Sequence, residues 1–147
     1  MIETAKARPE DSTILGQMNK HLIEDEGHRN PMSVEELKVR MENWLRSDWE
    51  AVFINKENAR IGYALYQWRT EPFDLRERSV YLRQFFVSRS HRRKGVGTQA
   101  FNAIKDAFWA DAKRIEAEVL TKNKEATAFW HSLGFVDYSL SLKLTLE

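Results

Sequence analysis

The chain has 147 residues, 42% hydrophobic, 12% aromatic and 31% charged, which suits one packed domain and argues against intrinsic disorder. Its 23 Lys and Arg against 22 Asp and Glu leave a formal net charge of +1, which argues against a histone-like nucleic-acid protein. It contains no cysteine, so disulfide frameworks, thiolate metal sites and cysteine nucleophiles are excluded.

Met1 to Lys6 lacks the apolar core of a signal peptide, and residues 2–8 read instead as a short first strand. Pro9-Glu10-Asp11 opens a helix with Ile14, Leu15, Met18 and Leu22 at helical spacing. A polar loop over 24–31 follows. Ser33 and Glu36 form a capping-box pattern ahead of a helix with Val34, Leu37, Met41, Trp44 and Leu45 on one stripe. Residues 51–54 and 61–68 read as strands joined by a hairpin loop over 56–60. A third strong strand over 80–87 runs into a basic loop, Ser88 to Lys94, and then Gly95-Val96-Gly97. The next helix carries Val96, Ala100, Phe101, Ile104 and Phe108 on one face. Ile115, Ala117 and Val119 alternate with Glu116 and Glu118, the pattern of a half-buried strand. Asn123 caps a short helix that stops at Gly134. Tyr138, Leu140, Leu142, Leu144 and Leu146 then alternate strictly with polar residues, giving the clearest strand pattern in the chain. No repeat or linker interrupts the order βααβββαβαβ, which predicts one α/β domain over 1–147, a mixed sheet with helices on both faces. No apolar run approaches the ~20 residues that span a bilayer, so a soluble cytoplasmic domain without a membrane partner is expected.

The strand–loop–helix from Val87 to Thr98 is an anion site by its chemistry. Helix-start amides point outward, the helix dipole adds positive potential, and glycines admit a ligand to the backbone. Arg92, Arg93 and Lys94 add full charges, so the natural guest is a phosphate or pyrophosphate. A nucleotide phosphate loop needs GxxxxGK[ST], and no such string exists here. The string from Gly95 to Ala100 matches the loose dinucleotide pattern, and Glu116 follows at about the twenty-residue offset that pattern favours. It sits in mid-chain with only one βαβ unit available, whereas a dinucleotide fold needs two halves.

Two motifs carry a resemblance. Arg92-Arg93-Lys94-Gly95-Val96-Gly97 is similar to the Q/R-x-x-G-x-G/A signature of the GNAT superfamily of acyl-CoA-dependent N-acetyltransferases. The string from Asn123 to Phe135 resembles that family's N-x-x-A-x-x-x-Y-x-x-x-G-F motif at every fixed position except the tyrosine, which is Trp130 here. The motif-bearing part covers 80–135, and the element order extends the similarity over the whole chain. The resemblance implies a mostly antiparallel sheet whose splayed parallel pair holds coenzyme A, with acetyl-CoA as co-substrate. It implies direct acetyl transfer to a primary amine of a small molecule or peptide. The amides from Arg93 to Thr98 would grip the pyrophosphate, with Arg92 beside them. Phe85, Phe86 and Val87 would meet pantetheine along the strand edge, and the Phe85 amide would be the oxyanion donor. Asn123, Phe129 and Trp130 would flank the pantetheine arm.

Trp130 is the chief departure, because an indole N–H donates a hydrogen bond but is no acid near neutral pH. It reads as a pocket wall. His131 and Tyr138 are candidate substitute acids, although His131 points about 100° away around the helix. Glu24, Asp25 and Glu26 lie in the loop that helps build the family's acceptor pocket, where they would suit a cationic amine or simply be solvated. Glu116 and Glu118 are candidate bases acting through water, and Tyr81 and Gln84 candidate acceptor contacts. Two other readings compete. One is a coenzyme A-binding regulator that lost its acid at Trp130. The other is a small nucleic-acid module using the basic segment 83–94, against which net charge and the second motif weigh. The four histidines, His21, His28, His91 and His131, show no metal-ligand spacing, so no metal is expected. The acceptor's identity, the acyl-chain preference and the oligomeric state, with a homodimer as one option, stay open.

Overall fold

The computed structural model describes residues 1–27, 29–92 and 94–147, so the expectations for His28 and Arg93 fall outside the described residues. The chain runs through β1 (Ile2–Lys6), a 3₁₀ turn (Pro9–Asp11), α1 (Ser12–Asp25) and α2 (Val34–Leu45). It continues through β2 (Glu50–Lys56), β3 (Ala59–Glu71), β4 (Asp74–Val87) and a 3₁₀ turn (Arg89–His91), then α3 (Val96–Phe108), β5 (Arg114–Ala117) and α4 (Lys124–Ser132). The strands lie in chain order in one sheet. Pairing is antiparallel from β1 to β4, and β5 alone runs parallel to its neighbour.

The central strands are apolar on both faces because helices cover both. Ala51, Phe53, Tyr63, Leu65 and Phe86 pack with Leu15 and Leu22 of α1 and Met41 of α2. Val52, Ile54, Ala64, Tyr66, Val80 and Leu82, their alternates, pack with Val96, Ala100, Phe101 and Ile104 of α3. Burial on both faces turns the half-buried alternation of a strand into a continuous apolar run. Local signals act where the sequence places them. Ser33 Oγ accepts from the Glu36 amide at 3.1 Å and Glu36 returns the bond at 2.9 Å, and Asn123 Oδ1 accepts from the Ala126 amide at 3.0 Å. The β2–β3 turn is tighter than the expected five-residue loop. Glu57 and Asn58 take positive φ of 52° and 65°, so the strands extend to Lys56 and Ala59.

The final strand of the expected order is absent from the described structure. Residues 135–147 carry no regular structure, and Leu142, Leu144 and Leu146 are 83%, 84% and 83% exposed. Alternation dictates which side chains share a face, but a strand also needs a neighbour for its amides and carbonyls. Among the described residues this segment has none, and β5 is hydrogen-bonded only to β4.

Candidate active site

The site begins where β4 and β5 part. They pair from Ser79↔Arg114 to Leu82↔Ala117 and no further, while β4 continues to Val87. The register on the other edge of β4 also slips here. Tyr66 pairs with Leu82 and Leu65 with Gln84, leaving Arg83 as the extra residue of a β-bulge. A bulge bends its strand, so β4 turns away from β5 and opens a notch lined by its own edge from Arg83 to Val87.

One end of the notch is built for an anion. Gly95 sits at the N-cap of α3 with φ +74°, a left-handed conformation that a side chain disfavours. Gln99 makes the first bond back, to the Gly95 carbonyl at 3.0 Å. The amides of Val96, Gly97 and Thr98 are therefore helix-start donors without an intrahelical partner. Gly97 has a further constraint, since a Cβ there would stand 3.1 Å from the Phe129 ring. Lys94 is exposed beside these amides. This donor set fits a pyrophosphate. Arg92 is committed differently: its Nε donates to the Val87 carbonyl at 2.7 Å and its Nη2 pairs with Asp25. Arg89 also reaches Asp25, at 2.6 Å. Burial works against the charged Asp25 carboxylate, but hydrogen bonds from Arg92 and Arg89 outweigh it and hold Asp25 below the usual carboxylate range. Asp25 thus ties the end of α1 to the loop before α3.

The floor of the notch is aromatic. Phe85 stacks on Phe129 with centroids 5.8 Å apart and 22° between planes, and meets Trp130 edge-on at 5.6 Å. Trp130 also contacts Phe101, Phe129 and Phe135 at 6.1, 5.0 and 5.2 Å. The rings join β4, α3 and α4 into one wall. Phe86 lies on the opposite face, against Tyr63 and His21. Val87 returns to the α3 side, buried in its core.

On the α1–α2 face, the mouth of the notch gathers β4, β5 and α2. Tyr63 donates to Gln84 Oε1 at 2.7 Å. Tyr81 lies edge-on to Trp49 at 6.2 Å and under the Arg69 guanidinium at 3.9 Å. Burial, reinforced by the neighbouring Glu118 carboxylate, raises the Tyr81 pKa. Glu116 and Glu118 are exposed, at β5 and just beyond its end, and Glu116 pairs in register with Tyr81. Arg83 stands 4.9 Å from the Trp44 ring and 5.6 Å from the Trp49 ring, and Arg40 stands 4.4 Å from Trp44.

The structure thus brings Phe85, Val87, Lys94–Thr98, Phe129 and Trp130 to one side of the notch, and Tyr81, Gln84 and Glu118 to the other. Asn123 contributes through its cap on α4. Glu24 is exposed at the end of α1, and Glu26 follows that helix as its C-cap. His131 turns outward to Asp137 at 2.7 Å, and Tyr138 is 92% exposed. Sequence reasoning missed Arg40 and Trp49, and took Trp44 for core only. The signal for the first was present: Arg40 and Trp44 are an i,i+4 pair on α2.

A family model described as the acetyltransferase (GNAT) family matches residues 17–135. No curated protein sequence matches the chain. Among solved structures, an aminoglycoside acetyltransferase from an uncultured soil metagenomic sample, in complex with sisomicin, is 13% identical with a TM-score of 0.79, covering 99% of this chain and 97% of its own. A ribosomal-protein-alanine N-acetyltransferase from Brucella melitensis biovar Abortus 2308 is 13% identical at 0.79, covering 99% and 100%. A predicted acetyltransferase with acetyl-CoA from Clostridium acetobutylicum is 19% identical at 0.73, covering 99% and 96%. At these identities the likeness is one of fold.

Proposed function

The chain belongs to the GNAT family of acetyltransferases, an acyltransferase family, and from that premise we propose that it moves an acetyl group from acetyl-CoA directly to a primary amine. The observation that carries this reading is the parting of β4 and β5 beyond Leu82 and Ala117, beside the unpartnered amides that open α3. Acetyl-CoA supplies an activated thioester. The amides of Val96, Gly97 and Thr98, with Lys94, hold its pyrophosphate. The β4 edge from Phe85 to Val87 pairs with the pantetheine arm as a strand would. The Phe85 amide stabilises the negative charge that grows on the thioester oxygen. Phe129 and Trp130 wall the channel, with Asn123 at its edge. Glu118, or Glu116 through water, takes the proton from the attacking amine as the C–N bond forms, and the C–S bond breaks to release coenzyme A as a thiolate that takes its proton from water. Direct transfer needs no enzyme nucleophile, which suits a chain without cysteine.

The test is an amine screen with acetyl-CoA that follows free thiol. Turnover with an amine is expected, with kcat/KM rising with pH until the base or the amine has lost its proton. Acetyl-CoA binding without turnover of any amine would replace this reading with the coenzyme A-binding regulator. Among the described residues no helix is long and apolar enough to cross a membrane. We place this single domain in the cytoplasm.

The segment 138–146 supports a homodimer. It offers strand alternation with exposed leucines, and β5 offers an edge without a neighbour. A second copy supplies both complements reciprocally, closing the contact by twofold symmetry. Sedimentation should show a dimer, and removal of residues 138–147 a monomer. A full-length monomer contradicts the assembly.

A further inference from the structure

Arg40 and Arg83 converge on Trp44 from α2 and β4. At the α3 end of the notch the arginines answer a carboxylate, since Arg89 and Arg92 share Asp25, and at the mouth Arg69 lies over Tyr81 and donates to Gln67. Among the described residues, Arg40 and Arg83 form no such pair. Arg40 is half-buried and its one hydrogen-bond partner is neutral, Asn19 Oδ1 at 3.1 Å. Its Nε and the Nδ2 of fully buried Asn19 have no partner. Burial and then the charge of Arg83 push the Arg40 pKa down, while Arg83 itself is exposed to solvent. Half-buried Arg40 without a carboxylate, beside exposed Arg83, makes a cationic corner open to an anionic group of a ligand.

Position says what visits. Arg83 is the bulge residue at the mouth of the notch. It lies on the α1–α2 face, away from the α3 face, where the amides hold pyrophosphate. Across the mouth stand Glu118, beside Tyr81, and Glu116. A dianion would meet repulsion from those two carboxylates. A zwitterion meets complementary charge at both ends: ammonium towards Glu118, carboxylate towards Arg83 and Arg40.

We infer that Arg83, backed by Arg40 on the Trp44 face, is a carboxylate-recognition site, and that the acceptor is a primary amine carrying a carboxylate, as in a free amino acid. This rests on the acetyl-transfer reading above and narrows its acceptor. Guanidinium suits the role because its planar fork matches a carboxylate with two parallel hydrogen bonds. The acidic loop at Glu24, Asp25 and Glu26, expected from sequence to attract a cationic amine, carries one carboxylate already held by two arginines.

The test compares acceptors that differ only in that charge. A panel of free amino acids and the matching amino-acid amides is assayed with acetyl-CoA, alongside a polyamine and an aminoglycoside. Amides have the less basic amine, so without recognition they react at least as well. The carboxylates should show at least tenfold higher kcat/KM. Arg83→Gln should erase that preference through KM while leaving KM for acetyl-CoA unchanged, and Arg83→Lys should restore part of it. Circular dichroism of each variant controls for folding. Equal use of acids and amides, or a preference that survives Arg83→Gln, overturns the inference. Turnover of the polyamine or aminoglycoside with neither series overturns it too and leaves acetyl transfer standing. No turnover of any amine overturns both.

Discussion

Two basic regions flank the notch, and they differ in how their charge is balanced. On the α3 side Arg89 and Arg92 are pinned by Asp25, so the charge free to meet a ligand there comes from helix-start amides and Lys94. On the α1–α2 side Arg40 and Arg83 have no carboxylate among the described residues. Counting charges along the chain treats the two regions alike. Pairing separates them: in the first the arginines are braced by a carboxylate and backbone amides are left without an intrahelical partner, and in the second the arginines themselves lack a carboxylate, which is the basis of the receptor roles proposed above.

Substitutions at four positions break or sharpen that contrast. Gly97→Asp acts on the backbone receptor and has the largest effect. It sets a carboxylate among the amides and a Cβ against Phe129. The thermal shift given by acetyl-CoA, about 2.7 kcal/mol at a hundredfold excess over Kd, should vanish. Gly97→Ala adds the Cβ without the charge and should keep part of the shift, which calorimetry can resolve.

Trp130 comes next. Trp130→Ala opens the aromatic wall and should cost about 2 kcal/mol, below the ~3–5 of a fully buried ring, and raise KM for acetyl-CoA. Trp130→Phe keeps most of the wall and should lower kcat by less than about tenfold, under the usual worth of an acid catalyst. A hundredfold loss with coenzyme binding intact would give the indole N–H a direct role.

Asp25→Asn removes the brace. Loss of charged hydrogen bonds to two arginines should cost about 1.5–2 kcal/mol. Because the folded carboxyl titrates below its ordinary value, its contribution is full above about pH 4. The contribution fades as pH falls through the depressed folded value. Denaturant unfolding at neutral and acid pH should therefore show a gap between wild type and variant that closes at low pH. Acetyl-CoA affinity should fall only modestly. The smallest effect is expected for exposed Glu24→Gln, within about 0.5 kcal/mol and without change in either KM.

Much of this was legible in the sequence. The apolar runs at 51–54 and 61–66 located a sheet covered on both faces, and two capping patterns placed helix starts correctly. The motifs at 92–97 and 123–135 pointed to the notch and to the helix start proposed to hold the coenzyme. What escaped was tertiary. Asp25 and Arg92 are distant in sequence, and nothing local reveals that they pair. The bulge at Arg83 depends on the β3–β4 register, which alternation alone leaves open. The tail at 138–146 shows the limit most plainly, since a period of two specifies a strand's faces and leaves its neighbour unspecified.

The central claim is that the notch carries out direct acetyl transfer, and single-turnover mixing tests it most directly. Protein loaded with acetyl-CoA is mixed with an excess of an amine found by the screen, and free thiol, acetylated amine and protein mass are followed together. Thiol and acetylated amine should appear in equal amounts and at one rate, with no acetylated protein at any time. Thiol released without acetylated amine, or an acetyl-protein that forms first and then decays into product, would contradict the account.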